Sequence, residues 1–171
     1  MDDLLVLKDL STSTFIESYF AYNTPENMRK YMGQYFSLAN LQKELADPNN
    51  HFAIAYINDA PVGYIKMSIN SKPTELGSAK AIEIERIYVA QKHQGKNIGA
   101  SLMTYCINYA IANQYDTLWL GVWEHNSKAK NFYNKWGFEV FGDHIFLLGH
   151  DVQTDLLLKK PLQEKSDIQN P

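Results

Sequence analysis

The sequence predicts an α/β (α+β) fold, in which a mixed, largely antiparallel and twisted sheet of about six or seven strands is flanked by helices. The central observation is the stretch Ala81–Gln114, where alternating residues typical of a strand lead through a glycine-bearing turn into a helical pattern. The second is a pair of strand-like segments, His51–Ile57 and Val62–Ile69, whose intervening Asn58–Pro61 predicts a hairpin. Further strand-like segments follow Gly137 and extend the predicted sheet.

Length and composition favour one globular domain, since the 171 residues are 45% hydrophobic and 20% charged. We expect this domain to span residues 1–162 and the polar residues 163–171 to form a frayed tail. The net charge of −3 disfavours a nucleic-acid surface, and no run approaches the ~20 apolar residues of a membrane span. The chain begins with acidic rather than basic residues, unlike a signal peptide, so we expect a cytoplasmic enzyme.

The residues that commonly bind metals do not form a ligand pattern. The single Cys106 excludes an internal disulfide, and its apolar neighbours favour a core position over a nucleophile. We expect no metal cofactor, because metal-ligand spacing is absent among the histidines His51, His93, His125, His144 and His150.

The N-terminal third predicts one strand followed by three helices. Leu4–Lys8 is interpreted as the strand, and a residue of Ser11–Ser13 as the cap of the first helix. Thr24–Glu26 predicts a second helix start, with a cap residue, a proline in the first turn and a carboxylate. Ser37 or Asn40 begins a third, shorter helix.

The second predicted helix carries an apolar stripe at helical spacing. We interpret the stripe as a core face, with substrate contact by one or two of its tyrosines as the alternative. Its members are Met28, Tyr31, Met32, Tyr35 and Phe36.

The second half of the chain alternates strands with helices. Asn70–Lys80 is a polar loop expected near the mouth of a substrate site. A buried strand, Thr117–Trp123, precedes a helix over Asn126–Trp136 that Gly137 ends. The remaining predicted strands are Val140–Leu148 and Thr154–Lys159.

The alternation of the central strand predicts which side chains share a face. It assigns Ile82, Ile84 and Arg86 to one face, and Glu83, Glu85, Ile87 and Val89 to the other. The following helix is expected to pack on the sheet through Ile98, Leu102, Tyr105, Ile107, Tyr109 and Ile111.

The turn Gln94–Ala100 predicts a phosphate cradle. A glycine-bearing turn that opens a helix presents free backbone N–H groups at the positive end of the helix dipole. The nucleotide-triphosphate motif GxxxxGK[ST] and the dinucleotide motif GxGxxG are both absent. Asn97 lies in the middle of this turn, and Asn tolerates positive φ better than most residues. Lys96 is a candidate phosphate ligand or an ordinary solvated lysine.

This turn resembles the Q/R-x-x-G-x-G/A pyrophosphate motif of the GNAT N-acetyltransferases, through Gln94, Gly99 and Ala100. Asn97 replaces the usual middle glycine of that motif. Asn126–Phe138 resembles the second motif of that superfamily, N-x-x-A-x-x-F-Y-x-x-x-G-F. The resemblance implies acetyl-CoA as co-substrate, Asn126 on the pantetheine arm and Tyr133 facing the thiol. The cofactor-binding positions that it implies are Ile87, Tyr88, Val89, Gln94, Gly95, Lys96, Asn97, Ile98, Gly99, Ala100, Asn126 and Tyr133.

A narrower resemblance covers nearly the whole chain up to Leu162. The segments PENMRKYMGQYF, LQKEL, IEIERIYV, LWLGVWEHN and VQTDLLLKKPL look like those of PaiA-type acetyltransferases. That resemblance implies a spermidine/spermine N-acetyltransferase. Other amines remain open as acceptors, namely an aminoglycoside, an amino acid or a peptide N-terminus. A non-catalytic CoA-binding module is the alternative of a different class.

Acetyl transfer to a primary amine needs a base, because the amine has a reference pKa near ~10.4 and arrives protonated. Glu83 and Glu85 are the candidates, and Glu85 is favoured because it is nearer the cradle. Glu83 is the alternative base or a water-bridged partner. Ion pairing of either carboxylate with Arg86 or Lys66 would be a purely structural role.

Four further expectations concern the site and the assembly. Tyr133 is the candidate acid, because a phenol stays protonated at neutral pH and can donate to a thiolate. By family resemblance, the backbone N–H of Val89 or Ala90 donates to the oxyanion. The tyrosine-rich helices suggest a homodimer. A polyamine groove would draw on Glu83, Glu85 and Glu124, with Glu17 and Glu26 at its rim.

Overall fold

The computed structural model describes residues 3–162 and confirms the predicted fold class. The predicted tail, residues 163–171, lies outside the described residues. Within them, the helices are α1 Asp3–Tyr19, α2 Pro25–Tyr35, α3 Leu38–Ala46, α4 Ile98–Ala112 and α5 Ser127–Lys135. The strands are β1 Asn50–Ile57, β2 Ala60–Ser68, β3 Ala81–Val89, β4 Thr117–Trp123, β5 Glu139–Leu148 and β6 Asp151–Pro161.

The six strands form one sheet in the order β1-β2-β3-β4-β6-β5. Each neighbouring pair is antiparallel except β3 and β4, which are parallel and joined by the α4 crossover. One apolar core lies between one face of the sheet and the helices α4 and α5, and Met103 and Leu118 are fully buried in it. Two smaller clusters, around Leu7 and Phe15, pack α1, α2 and α3 on the other side. Each face of the sheet is therefore covered by helices.

The prediction of a first strand at Leu4–Lys8 is wrong, because this segment is the first part of α1. Val6, Leu7 and Leu10 are buried at helical spacing, and a short apolar run does not distinguish a strand from a buried helix. The predicted cap at Ser11–Ser13 is also wrong. Hydroxyl groups in this part of α1 instead bond to carbonyls four residues earlier, as Thr14 Oγ1 does at 2.6 Å from the Leu10 oxygen.

The other predicted helix starts are confirmed by their caps. The Thr24 hydroxyl accepts a hydrogen bond from the Asn27 N–H at 3.2 Å, directly before Pro25 begins α2. The Ser37 hydroxyl accepts from the Asn40 N–H at 3.3 Å and begins α3. The apolar stripe of α2 faces inward as predicted, with Met28 buried and its tyrosines packed against the α1 cluster.

The predicted hairpin is confirmed, with a shorter turn than expected. Asn58 and Asp59 have φ values of 46° and 60°, so both central residues are left-handed, as a two-residue hairpin turn requires. Strand β2 therefore begins at Ala60 rather than Val62.

The predicted face of α4 is partly wrong. Leu102, Met103 and Cys106 form the buried side of the helix, whereas Tyr105 and Ile111 are 42% and 40% exposed. The core position of Cys106 is confirmed, and burial raises the pKa of its thiol to about 12.

Candidate active site

A β-bulge at Glu85 divides β3 into two parts. Lys66 of β2 pairs with Arg86, and the next residue, Met67, pairs with Ile84, so Glu85 is an extra residue in β3. A bulge redirects the side chains that follow it and is common next to active sites. After Glu85, the side chains of β3 therefore point to the face opposite to the one that strict alternation predicts.

The bulge makes the predicted face assignment of β3 wrong beyond Ile84. Ile87 and Val89 pack against the core beside α4, on the same side as Ile82 and Ile84. Arg86 lies on the opposite side, where it binds the carboxylate of a residue in α3. The predicted sharing of one face by Glu85, Ile87 and Val89 therefore does not occur, because the extra residue shifts the alternation by one position.

Strands β3 and β4 pair over three residues and then diverge. Their ladder runs from Ala81 opposite Thr117 to Glu83 opposite Trp119, and within the described residues it ends there. Beyond that pair, β3 continues for residues 84–89 beside β2, and β4 continues for residues 120–123 beside β6. The two strand edges that face this gap present backbone groups with which an extended ligand bearing amides can pair.

The predicted phosphate cradle lies directly before α4. Gly95 and Asn97 have positive φ values of 77° and 61°, which confirms that asparagine here takes a left-handed conformation. The helix begins at Ile98, so the amides of its first turn belong to Ile98, Gly99 and Ala100. No side chain caps these amides among the described residues.

Gln94 connects the cradle to its surroundings. Its Nε2 donates to the Val89 carbonyl oxygen at 3.0 Å, and its Oε1 accepts from the Lys128 ammonium of α5. The start of the loop is thereby fixed against the end of β3. Lys96 is exposed beside it.

The second motif places two predicted site residues on α5. Asn126 caps this helix, since its Oδ1 accepts from the Ala129 N–H at 3.0 Å. This contact occupies the side-chain oxygen and leaves the Asn126 amide N–H groups as donors. Tyr133 is buried, packs against Phe132 and Phe138 at ring distances of 5.6 and 5.8 Å, and has its pKa raised by burial. Its phenol is therefore protonated throughout the neutral range.

The two candidate bases have different surroundings. Glu83 is half-buried and accepts a hydrogen bond from the Ser71 hydroxyl at 2.7 Å. Burial, assisted by the nearby charge of Glu85, raises the pKa of Glu83 to about 7. Glu85 Oε1 instead lies 2.7 Å from Lys66 Nζ and 3.3 Å from Arg86 Nη2. The ion pairing with Lys66 or Arg86 that the sequence left open therefore occurs at Glu85.

Glu44 of α3 completes this ion network. Its carboxylate accepts two hydrogen bonds from the Arg86 guanidinium, at 2.8 and 2.9 Å, and lies 3.0 Å from Lys66 Nζ. Because Lys66 and Arg86 are 4% and 6% exposed, their charges depend on these carboxylates for compensation. The bulged Glu85 is the most exposed of the four groups.

A cavity of about 90 Å³ lies between α1, α2 and the strands that diverge. Glu85 and Tyr88 of β3 line it together with Gly121 and Trp123 of β4. The remaining lining residues are Phe15, Tyr19, Tyr31, Phe146, Leu148, Gln153 and Asp155. A wider, more open cleft of about 600 Å³ lies beside α3, lined by residues that include Glu44, Asp47, Lys66 and Glu85.

Other predicted acidic residues lie elsewhere. Glu17 accepts a hydrogen bond from the Gln91 N–H at 2.7 Å, Glu124 lies beside His125, and Glu26 is in the exposed first turn of α2. None of these three lines the 90 Å³ cavity, and neither does Glu83. Sequence reasoning missed Asp155, which was treated as part of an ordinary C-terminal strand. The only available signal was a charge inside the apolar run TDLLL.

Across residues 3–162, no group of three or more His, Cys, Asp or Glu side chains is arranged to hold a metal ion. None of the helices in this part of the chain is long and apolar enough to cross a membrane.

Comparison with known proteins decides the family. The sequence profile of the Acetyltransferase (GNAT) family matches residues 9–138. An uncharacterized N-acetyltransferase of Lactobacillus delbrueckii subsp. lactis is 36% identical over 153 residues, which cover 90% of this chain and 88% of that protein. The chain belongs to the GNAT family.

Two further comparisons concern related GNAT proteins. A streptothricin acetyltransferase of Escherichia coli is 33% identical over 92 residues, covering 54% of this chain and 49% of that protein. The crystal structure of the PaiA N-acetyltransferase from Thermoplasma acidophilum in complex with coenzyme A has a TM-score of 0.75 and 18% identity. That match covers 94% of this chain and 93% of the other. At that identity the structural match shows the fold alone.

GNAT membership establishes the reaction class, so the protein is an N-acetyltransferase. GNAT acetyltransferases use acetyl-CoA, and the PaiA structure contains coenzyme A.

Proposed function

We propose that this GNAT enzyme transfers the acetyl group of acetyl-CoA to a primary amine of a polyamine such as spermidine or spermine. The observation that carries the proposal is the position of the 90 Å³ cavity, which both diverging strands line. An amine in the cavity would meet a thioester held in the gap. The aromatic walls suit methylene groups, and carboxylates suit their ammonium ends.

The cofactor would run from the cradle into the gap. Its pyrophosphate would accept hydrogen bonds from the amides of Gly95–Ala100, where positive φ values at Gly95 and Asn97 turn the chain into α4. Its pantetheine amides would pair with the backbone of Ile87–Val89 and with the free amide donors of Asn126. The backbone N–H of Val89 would donate to the oxyanion. The alternative donor, the N–H of Ala90, is wrong, because it already donates to the Val62 carbonyl oxygen at 2.9 Å.

We assign the role of general base to Glu83, whereas the sequence position alone favours Glu85. A general base works best when its pKa lies near the operating pH, and that of Glu83 is raised to about 7. Glu85 is held by Lys66 and Arg86 and lines the cavity, which suits it to position the ammonium group before the proton leaves. Water bridging to Glu83 would carry that proton.

Tyr133 would act as the general acid. Burial keeps its phenol protonated, so it can donate to the thiolate that leaves when the amide bond forms. Two protons would leave the ammonium form of the acceptor. Glu83 would take the first before the amine attacks. The second would leave the nitrogen as the amide forms and restore Tyr133, whose phenol proton has passed to the CoA sulfur.

The test is a comparison of acceptors in a coupled thiol-release assay. We expect spermidine and spermine to have a higher kcat/KM than aminoglycosides, amino acids and peptides. Polyamines that react no better than the other amines would contradict the acceptor assignment and leave the acetyltransferase class intact. Coenzyme A binding without turnover of any amine would support the non-catalytic alternative.

A second candidate acceptor is an amine of a streptothricin-type antibiotic. The similarity to the streptothricin acetyltransferase of Escherichia coli favours it, although that similarity spans about half of each protein, namely 54% and 49%. Streptothricin therefore belongs in the same acceptor comparison. A kcat/KM for streptothricin above that for spermidine would replace the polyamine proposal.

A further inference from the structure

The cavity contains a second carboxylate that the reaction scheme above does not use. Asp155 lies on β6 and lines the cavity. Its Oδ1 is buried and has no hydrogen-bond partner among the described residues. Its Oδ2 is 3.9 Å from Nε2 of His144, too far for a hydrogen bond. A buried carboxylate oxygen without a donor is costly unless a ligand supplies one.

Asp155 and Glu85 also differ in whether a neighbouring lysine or arginine compensates their negative charge. Glu85 is ion-paired with Lys66 and Arg86. Within residues 3–162, Asp155 forms no ion pair with a lysine or arginine, and its nearest basic group is the half-exposed imidazole of His144. Of the two cavity carboxylates, Asp155 is thus the one whose negative charge remains available to a cationic ligand.

Aromatic rings form much of the remaining wall. Tyr31 stacks on Phe15 at a ring distance of 4.6 Å and contacts Phe146 at 5.7 Å, while Tyr19 packs on Phe15 at 4.8 Å. Rings held by one another in this way present fixed faces and edges to the cavity. Such rings attract an ammonium group, and the attraction is stronger where water is excluded.

The size and position of the cavity limit the ligand. A volume of about 90 Å³ holds a few non-hydrogen atoms, so an alkylammonium end fits and a sugar ring does not. Asp155 Oδ2 lies 3.5 Å from the Cβ position of Gly121, in the part of β4 that faces the gap. The carboxylate is therefore close to where the proposed acceptor amine would react.

We propose that Asp155 and the surrounding aromatic rings form a subsite for a second, non-reacting ammonium group of the acceptor. The inference rests on the proposed function and deepens it, because it makes the enzyme selective for diamines and polyamines over monoamines. Asp155 acts here as a specificity-determining residue that contacts the substrate.

The test compares 1,4-diaminobutane with butylamine as acceptors of the full-length protein. Asp155→Asn keeps the size of the side chain and removes its charge. We expect kcat/KM for 1,4-diaminobutane to fall about 10- to 100-fold, as expected for the loss of a charged hydrogen bond. We expect kcat/KM for butylamine to change less than about twofold, because it has no second ammonium group to lose.

Asp143→Asn is the matched control, since Asp143 is an exposed residue of β5. It should leave both acceptors unchanged. An equal fall for both acceptors in Asp155→Asn, or no fall for either, would overturn the subsite. So would a natural enzyme that does not prefer 1,4-diaminobutane over butylamine.

A measurement on the unaltered protein covers the case in which Asp155→Asn does not fold. Tetramethylammonium should inhibit competitively against 1,4-diaminobutane, whereas neutral tert-butanol at the same concentration should not. Equal effects of the two compounds would overturn the subsite. If no amine is acetylated, the proposed function fails, and calorimetric titration of 1,4-diaminobutane into the natural and Asp155→Asn proteins then decides the subsite by itself.

Discussion

Glu83 lies opposite Trp119 in the last pair of the parallel ladder between β3 and β4. A carboxyl group with a pKa of about 7 is thus positioned at the point where the gap between the two strands begins. Parallel strands that separate after three pairs leave room for an extended ligand, and the cradle before α4 lies at the far end of β3. The candidate base Glu83 therefore lies at the closed end of the gap in which we propose that the cofactor binds.

The first prediction concerns the cradle. Gly99→Asp should weaken acetyl-CoA binding about tenfold or more, because it places a negative charge beside the phosphates at the helix N-terminus. The Cβ position of Gly99 is 3.8 Å from the Phe132 ring, an ordinary contact, so the fold should tolerate the change. Calorimetry measures the affinity.

Gly33→Asp is the matched control for that prediction. Gly33 is an exposed residue in α2, with nothing within 4 Å of its Cβ position. It should bind acetyl-CoA as the natural protein does. Unchanged affinity in a folded Gly99→Asp protein would show that the phosphates bind elsewhere.

The second prediction concerns the leaving group. Tyr133→Phe should lower kcat about 100-fold, the lower range for loss of a general acid, with little effect on acetyl-CoA affinity. Steady-state kinetics and calorimetry measure the two quantities. Tyr56→Phe removes a hydroxyl from an exposed tyrosine and should change neither. A kcat close to that of the natural enzyme would exclude Tyr133 as the acid.

The third prediction separates the two glutamates by their pH profiles. In the natural enzyme, kcat/KM should rise with pH through about 7, because the base form of Glu83 appears above its pKa. Glu83→Gln should remove that rise and lower kcat/KM. Glu85→Gln should raise KM for the acceptor and retain the rise. The reverse pattern would make Glu85 the base, as its sequence position suggests.

The fourth prediction uses the same pKa to test stability. The pKa of Glu83 is raised on folding from its ordinary value of 4.5 to about 7, so its contribution to stability is full below pH 4.5 and is lost as pH rises through 7. Glu83→Gln cannot ionise. Its melting temperature relative to the natural protein should therefore be higher at pH 8 than at pH 5, by roughly 5–10 °C, the shift that about 2.5 kcal/mol produces.

Thermal unfolding at the two pH values measures that difference. Glu75→Gln is a suitable control, because Glu75 lies exposed in the 3₁₀ turn of the loop before β3. A constant difference between Glu83→Gln and the natural protein at both pH values would contradict a raised pKa at Glu83.

Sequence alone predicted the elements whose signals are local. The caps at Thr24 and Ser37 and the left-handed Asn97 follow from side-chain chemistry within a few residues. The first strand was wrong because Leu4–Lys8 is too short a run to reveal its period, and only packing against α3 and β2 makes it helical.

The errors in the site arise from pairing between distant segments. The bulge at Glu85 is defined by the register of β3 against β2, and a strict alternation over Ala81–Val89 contains no sign of it. Asp155 was missed for the same reason, since only the fold brings β6 beside the α1 and α2 tyrosines. The choice between Glu83 and Glu85 likewise depends on Lys66 and Arg86, whose positions relative to the carboxylates come from tertiary structure.

The most direct test of the account is a crystal structure with a bisubstrate conjugate, in which an acetyl bridge joins the CoA sulfur to a terminal nitrogen of spermidine. We expect pyrophosphate on the amides of Gly95–Ala100, pantetheine between β3 and β4, and one end of the polyamine chain in the cavity beside Tyr19 and Tyr31. A conjugate whose polyamine lies in the wider cleft beside Lys43 and Asp47, with the aromatic cavity empty, would contradict it.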